Sequence, residues 1–211
     1  MEKQAIPEVV IARLPIYLQI LNHLQREGYE IVSSKELAKH LGVTAAQIRK
    51  DFSYFGEFGK QGSGYNVTRL TDELREILNL NQIWQVALVG VGNLGQALLS
   101  YQGFSRKGFE LILAFDNNPK LINTTISGLK VLDVENLEEE INKCQVKIAI
   151  LTVPSQVAQD ITNRLVNCGI KAILNYAPIT LKVDSNIRVL NIDPVLKLQN
   201  LSYYLSEQVG Q

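Results

Sequence analysis

The apolar positions of this chain change their period near its middle. Up to about residue 80 they recur at helical spacing, whereas beyond Trp84 they run in short continuous blocks, the mark of strands buried on both faces. Ile16, Leu18, Leu21 and Leu24 predict one helix, stopped by Gly28. Pro7 and Pro15 each suit a first helical turn, where a missing N–H costs little. Ser33-Ser34-Lys35-Glu36 reads as a capping box that opens a short helix to Leu41, with Gly42 as its stop. Thr44-Ala45-Ala46-Gln47 reads as a second box immediately afterwards. Two short helices across so brief a glycine turn predict helix-turn-helix, within about residues 16–55.

The second of these helices has two chemically different sides. Ile48, Phe52 and Phe55 form an apolar stripe for packing, while Gln47, Arg49, Lys50, Ser53 and Tyr54 are groups able to contact phosphates and base edges. The glycine-rich run that follows is unsuited to helix and predicts a hairpin wing over about 57–67, with Lys60 near its tip. One further helix, carrying Leu70, Leu74, Ile77 and Leu78, closes the unit by about residue 80.

From residue 84 strands alternate with helices, which predicts a parallel sheet. Strands are expected over 84–89, 109–115, 129–132, 146–153, 171–176 and 187–192, with helices near 96–101, 134–142 and 155–166. The expected fold is therefore α/β, with a winged helix-turn-helix domain over 1–80 and a Rossmann-type domain over 84–192. A C-terminal helix within 193–211 carries Val195, Leu198, Leu201 and Leu205 on one face. Periodicity does not separate a helix that caps its own sheet from one that docks on a second subunit.

Composition narrows the function classes. Basic and acidic residues balance at 21 each, which argues against indiscriminate polyanion binding. Between residues 31 and 70, however, Lys35, Lys39, Arg49, Lys50, Lys60 and Arg69 outnumber Glu36, Asp51 and Glu57, a local excess that can supply the electrostatic part of DNA affinity. No apolar run approaches the roughly 18 residues that suggest a membrane span, and no secretory signal is evident, so a cytoplasmic protein is expected. Cys144 and Cys168 have no metal-ligand spacing and are expected as reduced thiols.

The richest chemistry lies where the first long strand ends, in Gly90-Val91-Gly92-Asn93-Leu94-Gly95. In the GxGxxG fingerprint the first glycine permits a tight turn, the second lets amides approach a pyrophosphate, and the third allows close helix packing. Asp116 closes the next strand about 20 residues on, where a ribose-binding acid belongs; it would also repel the 2′-phosphate of NADP and so favour NAD. The plain alternative is that Asp116 only begins the turn Asp116-Asn117-Asn118-Pro119. Thr152, Val153, Pro154, Asn175 and Tyr176 follow later strands and are candidates for the pocket rim. No catalytic set accompanies the fingerprint: His23 and His40 both precede the sheet, and no Cys/His metal cluster is present. A regulatory reading is thus preferred to a small NAD-dependent oxidoreductase or a CoA-type nucleotide binder with a helical appendage.

Arg13-Leu14-Pro15, Val32-Ser33-Ser34-Lys35-Glu36-Leu37, residues 47–56 from Gln47 to Gly56, Phe58-Gly59-Lys60, Gly64-Tyr65, the glycine turn, Phe115-Asp116, and Leu174-Asn175-Tyr176-Ala177-Pro178 form one set of motifs across both halves. By these motifs the chain resembles the Rex family of redox-sensing transcriptional repressors. It implies a homodimer whose winged helices bind double-stranded operator DNA and whose Rossmann domains sense NADH against NAD, with NADH closing the dimer and releasing DNA. It further implies that Arg49, Lys50, Ser53 and Tyr54 face the major groove, that Lys60 lies near the minor groove, that Tyr101 lies near the cofactor, and that the C-terminal helix is exchanged between subunits. The chain departs from the family pattern at Pro194, where an apolar residue near the nicotinamide is common, and at Gln19, where many members carry arginine.

Overall fold

The computed structural model describes residues 6–56, 58 and 64–208, with side chains described as far as Leu205. The chain forms two compact units, Met1–Gln82 and Ile83–Gln211.

In the first unit α1 (Glu8–Arg26) buries Leu14, Tyr17, Leu18, Leu21 and Leu24. Pro7 is its N-cap, so Pro15 sits in the helix interior, not in a first turn as expected from sequence. Pro15 is exposed and so is Ile11, whose carbonyl loses its intrahelical N–H partner on the solvent side, and the buried stripe holds the helix together. β1 (Ile31–Val32) precedes α2 (Ser34–Leu41), whose Ser33 and Glu36 form the full capping box, and Gly42 ends the helix in the left-handed conformation. α3 (Ala45–Ser53) is capped by Thr44, whose side chain accepts the Gln47 N–H. The reciprocal half of that second box is absent, because the Gln47 side chain is engaged by Asp51 instead.

Phe58 is the only described residue of the expected wing before Gly64; Lys60 lies outside the described residues. β2 (Tyr65–Asn66) pairs antiparallel with β1, a strand that the sequence reading did not assign. Asn66 then caps α4 (Val67–Ile77), so the helix begins where the hairpin was expected to end. Phe52 stands at the centre of the core, edge-on to Tyr17 and Tyr65 and against Phe58.

The second unit is a seven-stranded sheet. Its strands are β3 (Trp84–Val89), β4 (Phe109–Asp116), β5 (Thr125–Ile126), β6 (Leu129–Asp133), β7 (Ile148–Leu151), β8 (Ala172–Asn175) and β9 (Arg188–Asn191), in the order β5-β6-β4-β3-β7-β8-β9. All pairings are parallel except that of β5 with β6. This order, read from β6 to β9, is that of a dinucleotide-binding sheet, with its switch point between β3 and β7. α5 (Asn93–Leu99) lies on one face, α6 (Leu137–Cys144) and α7 (Ser155–Asn167) on the other. α5 begins before the last glycine of the turn, earlier than expected, because Gly92 itself is the N-cap. Residues between β8 and β9 pack with α6 and α7, and no described element crosses the other face there, so the α5 face stays open over β7, β8 and β9. α8 (Pro194–Gln208) is exposed at every described side chain from Pro194 to Leu205. No helix among the described residues is long and apolar enough to cross a membrane.

Candidate functional site

At the switch point the backbone of the glycine turn is pressed against the end of β7. Gly90 has φ +96°, and a Cβ there would meet the Thr152 carbonyl oxygen at 2.6 Å, so no L side chain fits. A Cβ on Gly95 would run into the Gly90 carbonyl oxygen, which lets α5 pack directly on the turn. Gly92 differs from both. Its φ is an ordinary −69°, and nothing lies within 4 Å of its Cβ position, so that glycine leaves open space rather than relieving an internal clash. Gly92, Asn93 and Leu94 are exposed, while Val91 and Gly95 are buried. The first-turn amides of α5 have no intrahelical acceptors and face this space, as an anion site requires.

Three side chains brace the turn. Asp116 Oδ2 accepts the Val91 N–H at 2.6 Å and Oδ1 accepts the Asn118 N–H at 2.8 Å, so the carboxylate both begins the Asn117 turn and holds the glycine loop. The turn that the sequence assigned to Asp116 is thus a contact it makes, and its hold on the Val91 N–H is one the sequence did not show. The Thr152 hydroxyl donates to Gly90 O at 2.6 Å, and Gln96 Nε2 donates to Val91 O at 3.0 Å. Pro154 is the exposed N-cap of α7, on the same rim. Asn175 is buried and spends its amide on Ala177 O, Ile179 O and Asn191 Oδ1, which makes it a brace for the 175–179 loop. Tyr101 is not brought to the turn. The length of α5, about 10 Å of helical rise, separates them.

Tyr101 instead lines a groove of about 410 Å³ on the open sheet face, with Phe104, Phe109, Ile148, Leu174 and Leu190. Its ring lies over Gly103, which has no room for a side chain there, and meets Phe104 edge-on.

On the first unit Arg49, Lys50 and Ser53 are exposed along α3, and Tyr54 is half-buried at its C-cap. Arg49 Nη1 donates to the Ser34 hydroxyl at 3.1 Å, which ties the two helices of the motif, and the Ser53 hydroxyl donates to Lys50 O. Asp51, counted from sequence as one acid among three between residues 31 and 70, is fully buried. It receives Arg13 Nε and Nη2, Tyr17 Oη and Gln47 Nε2. Burial pushes its carboxyl up, but these hydrogen bonds outweigh burial and hold it below the usual carboxylate range. Burial and the Asp51 hydrogen bond push the Tyr17 phenol well above its ordinary value, so it stays a donor. The signal for this network was the Arg13-to-Tyr17 spacing of one helical turn, which sequence could not connect to Asp51.

Comparison with known proteins matches both units. A family model described as the CoA binding domain matches residues 81–179, and one described as the putative DNA-binding protein N-terminus matches residues 5–53. Proteins described as the redox-sensing transcriptional repressor Rex from Roseiflexus sp. (strain RS-1) and Desulfitobacterium hafniense (strain DSM 10664 / DCB-2) are 48% and 44% identical to this chain. The first covers 97% of this chain and 93% of its own length, the second 96% and 97%. The crystal structure of RSP in complex with β-NAD+ and operator DNA superposes with a TM-score of 0.92 at 41% identity, over 97% of this chain and 94% of that one. RSP in complex with β-NADH gives 0.89 at 40% identity, over 97% and 96%. With the glycine turn at the switch point and relatives matching over nearly the full length, this chain belongs to the Rex family of redox-sensing transcriptional repressors.

Proposed function

We propose that this chain represses transcription as a DNA-binding homodimer and leaves its operator when NADH occupies the switch point of the sheet. The observation that carries the reading is the glycine turn, in which an unobstructed Gly92 and the free first-turn amides of α5 stand beside Asp116. The pyrophosphate lies on the amides of Gly92, Asn93, Leu94 and Gly95, with Val91 beneath it, and a ribose hydroxyl donates to the Asp116 carboxylate. Thr152 and Pro154 form the rim toward the nicotinamide. The related RSP structures hold NAD+, NADH and operator DNA, which supports both ligands for this chain. It is a repressor and not an enzyme, as its near full-length relatives are named. The CoA description belongs to a model spanning the sheet alone and is not the favoured ligand.

α3 carries the DNA contact, with Arg49, Lys50, Ser53 and Tyr54 toward the major groove and Gln47 at its first turn; Lys60 follows from the family resemblance. The homodimer has support in two surfaces that need one another. α8 exposes Val195, Leu198, Leu201 and Leu205, and the open sheet face offers an apolar groove of matching character. A second copy's α8 on that groove covers both, and it carries Tyr101 into the shared interface, where its cofactor role lies. A protein that works on operator DNA is expected in the cytoplasm, and that is the location proposed for it.

The switch requires only that NADH bind the DNA-incompetent dimer better than the competent one. A tenfold loss of operator affinity corresponds to about 1.4 kcal/mol of coupling. The test is an operator mobility-shift titration with NADH, NAD+ and NADPH in parallel. Release by NADH alone is expected; release by none of the three, or equally by NADPH, overturns the reading.

A further inference from the structure

Among the described residues Asp51 is the only charged side chain that is fully buried. Its bonds to Arg13 Nε and Nη2 measure 2.5 and 2.7 Å, that to Tyr17 Oη 2.6 Å, and that to Gln47 Nε2 2.7 Å. An ionised carboxylate only accepts hydrogen bonds. The Gln47 group facing Asp51 is therefore its nitrogen, and Oε1 points the other way. A glutamine free in solvent exchanges the two ends of its amide by one rotation and reads donors and acceptors alike. Here that rotation would bring an oxygen against a carboxylate in a buried site, where an unpaired acceptor is costly.

Gln47 is not needed to complete the helix cap, since Thr44 takes the Gln47 N–H and no reciprocal bond forms. Its Oε1 accepts no hydrogen bond among the described residues. It is half-buried in the first turn of α3, the part of a recognition helix that reaches base edges. We propose that Asp51 is a positioning residue for operator recognition: clamped by Arg13 and Tyr17, it orients the Gln47 amide so that Oε1 is offered as an acceptor. The base selected is one whose major-groove edge presents an exocyclic amine, adenine N6 or cytosine N4, over the acceptor edges of guanine or thymine. This inference rests on α3 docking in the groove as set out above. A purely structural Asp51, pinning α1 to α3, would alter affinity for every sequence alike and leave base preference unchanged.

The test measures competition binding of the full-length protein to operators substituted at each base pair in turn. The wild type is expected to lose about tenfold at one position when the amine-bearing base is replaced. Gln47→Leu flattens that position and no other. In Asp51→Asn the amide oxygen stays with Arg13 Nε and Tyr17, the new nitrogen gives up the Arg13 Nη2 bond and faces Gln47, and the Gln47 amide turns over; the preferred base at that position becomes guanine or thymine. Full preference retained by Gln47→Leu overturns the proposal, as does an unchanged preferred base in folded Asp51→Asn. If Asp51→Asn does not fold, hydrogen exchange of the 15N-labelled Gln47 amide in the wild type decides. Slowed exchange of one Nε2 proton supports the clamp, and water-like exchange of both overturns it. A wild type with no base preference at any position removes the docking of α3 itself, and this inference with it.

Discussion

Replacing Gly92 by valine separates ligand binding from folding in a way that neither neighbouring glycine permits. The Gly92 backbone already has an ordinary negative φ, and its Cβ direction is empty to 4 Å, so a side chain enters open space. Losing a glycine lowers the entropy of the unfolded chain by about 0.4 to 1 kcal/mol, which offsets the roughly 0.5 to 2 kcal/mol lost with a poorer N-cap. Net stability is expected to change by less than about 1.5 kcal/mol. The same side chain stands where the pyrophosphate approaches the α5 amides. Each charge-assisted hydrogen bond contributes about 1.5 to 3 kcal/mol, so two blocked amides cost about 3 to 6 kcal/mol, or roughly 10² to 10⁴ in NADH affinity. Titration calorimetry with NADH and a thermal melt on the same sample read the two quantities apart. Gly95→Ala is the contrast: its Cβ meets Gly90 O, and it should lose stability by at least the 1 to 3 kcal/mol typical of overpacking. A folded Gly92→Val with NADH affinity within threefold of wild type would refute the pyrophosphate placement.

The remaining expectations concern the other surfaces. Arg49→Ala should weaken operator binding by about 1 to 3 kcal/mol if the guanidinium takes a bidentate base contact, with NADH affinity unchanged, as mobility shifts and calorimetry would show. Arg13→Ala leaves the Asp51 carboxylate buried without its main partner and should cost about 3 to 5 kcal/mol of stability in denaturant titration. Because the Asp51 carboxyl is held below its unfolded value, its contribution is present above about pH 4 and fades as pH falls through the lower folded value. An acid titration of stability should therefore lose part of its slope there in Asp51→Asn. Leu198→Asp with Leu201→Asp places two charges on α8 positions that are 63% and 59% exposed in the single chain; sedimentation should then show monomers, whereas an intact dimer would reject the groove as the seat of α8.

Local rules carried the sequence reading a long way. The Ser33 capping box and the Gly42 stop need only neighbours within one turn, and both formed as read. The strands from Trp84 onward announced themselves as apolar blocks because a parallel sheet covered by helices buries both faces. The glycine turn and Asp116 were legible from their spacing alone, although the clash that requires Gly90 is with Thr152 and Gly92 relieves none. Where the reading erred, a distant partner had intervened. Pro15 suits a first turn by its own chemistry, yet the buried stripe of α1 extends the helix back to Glu8 and leaves it in the interior. The second capping box failed in its reciprocal half because Asp51 outbid the cap for the Gln47 amide. β1 was missed because two residues show no period, and its existence depends on β2 across the unit.

By itself, then, the sequence determined the two-unit order, the helix-turn-helix, the sheet and the dinucleotide turn, all properties written in spacing and short-range sterics. Only the tertiary structure decided what those elements do to one another. It showed that Gly92 is open while Gly90 and Gly95 are packed, that Asp116 grips the Val91 amide, and that Asp51 lies buried against an arginine 38 residues away. Burial is the physical reason: the same aspartate is a solvated charge on an exposed face and a directional clamp in a closed one, and the choice between them depends on residues that no local window contains.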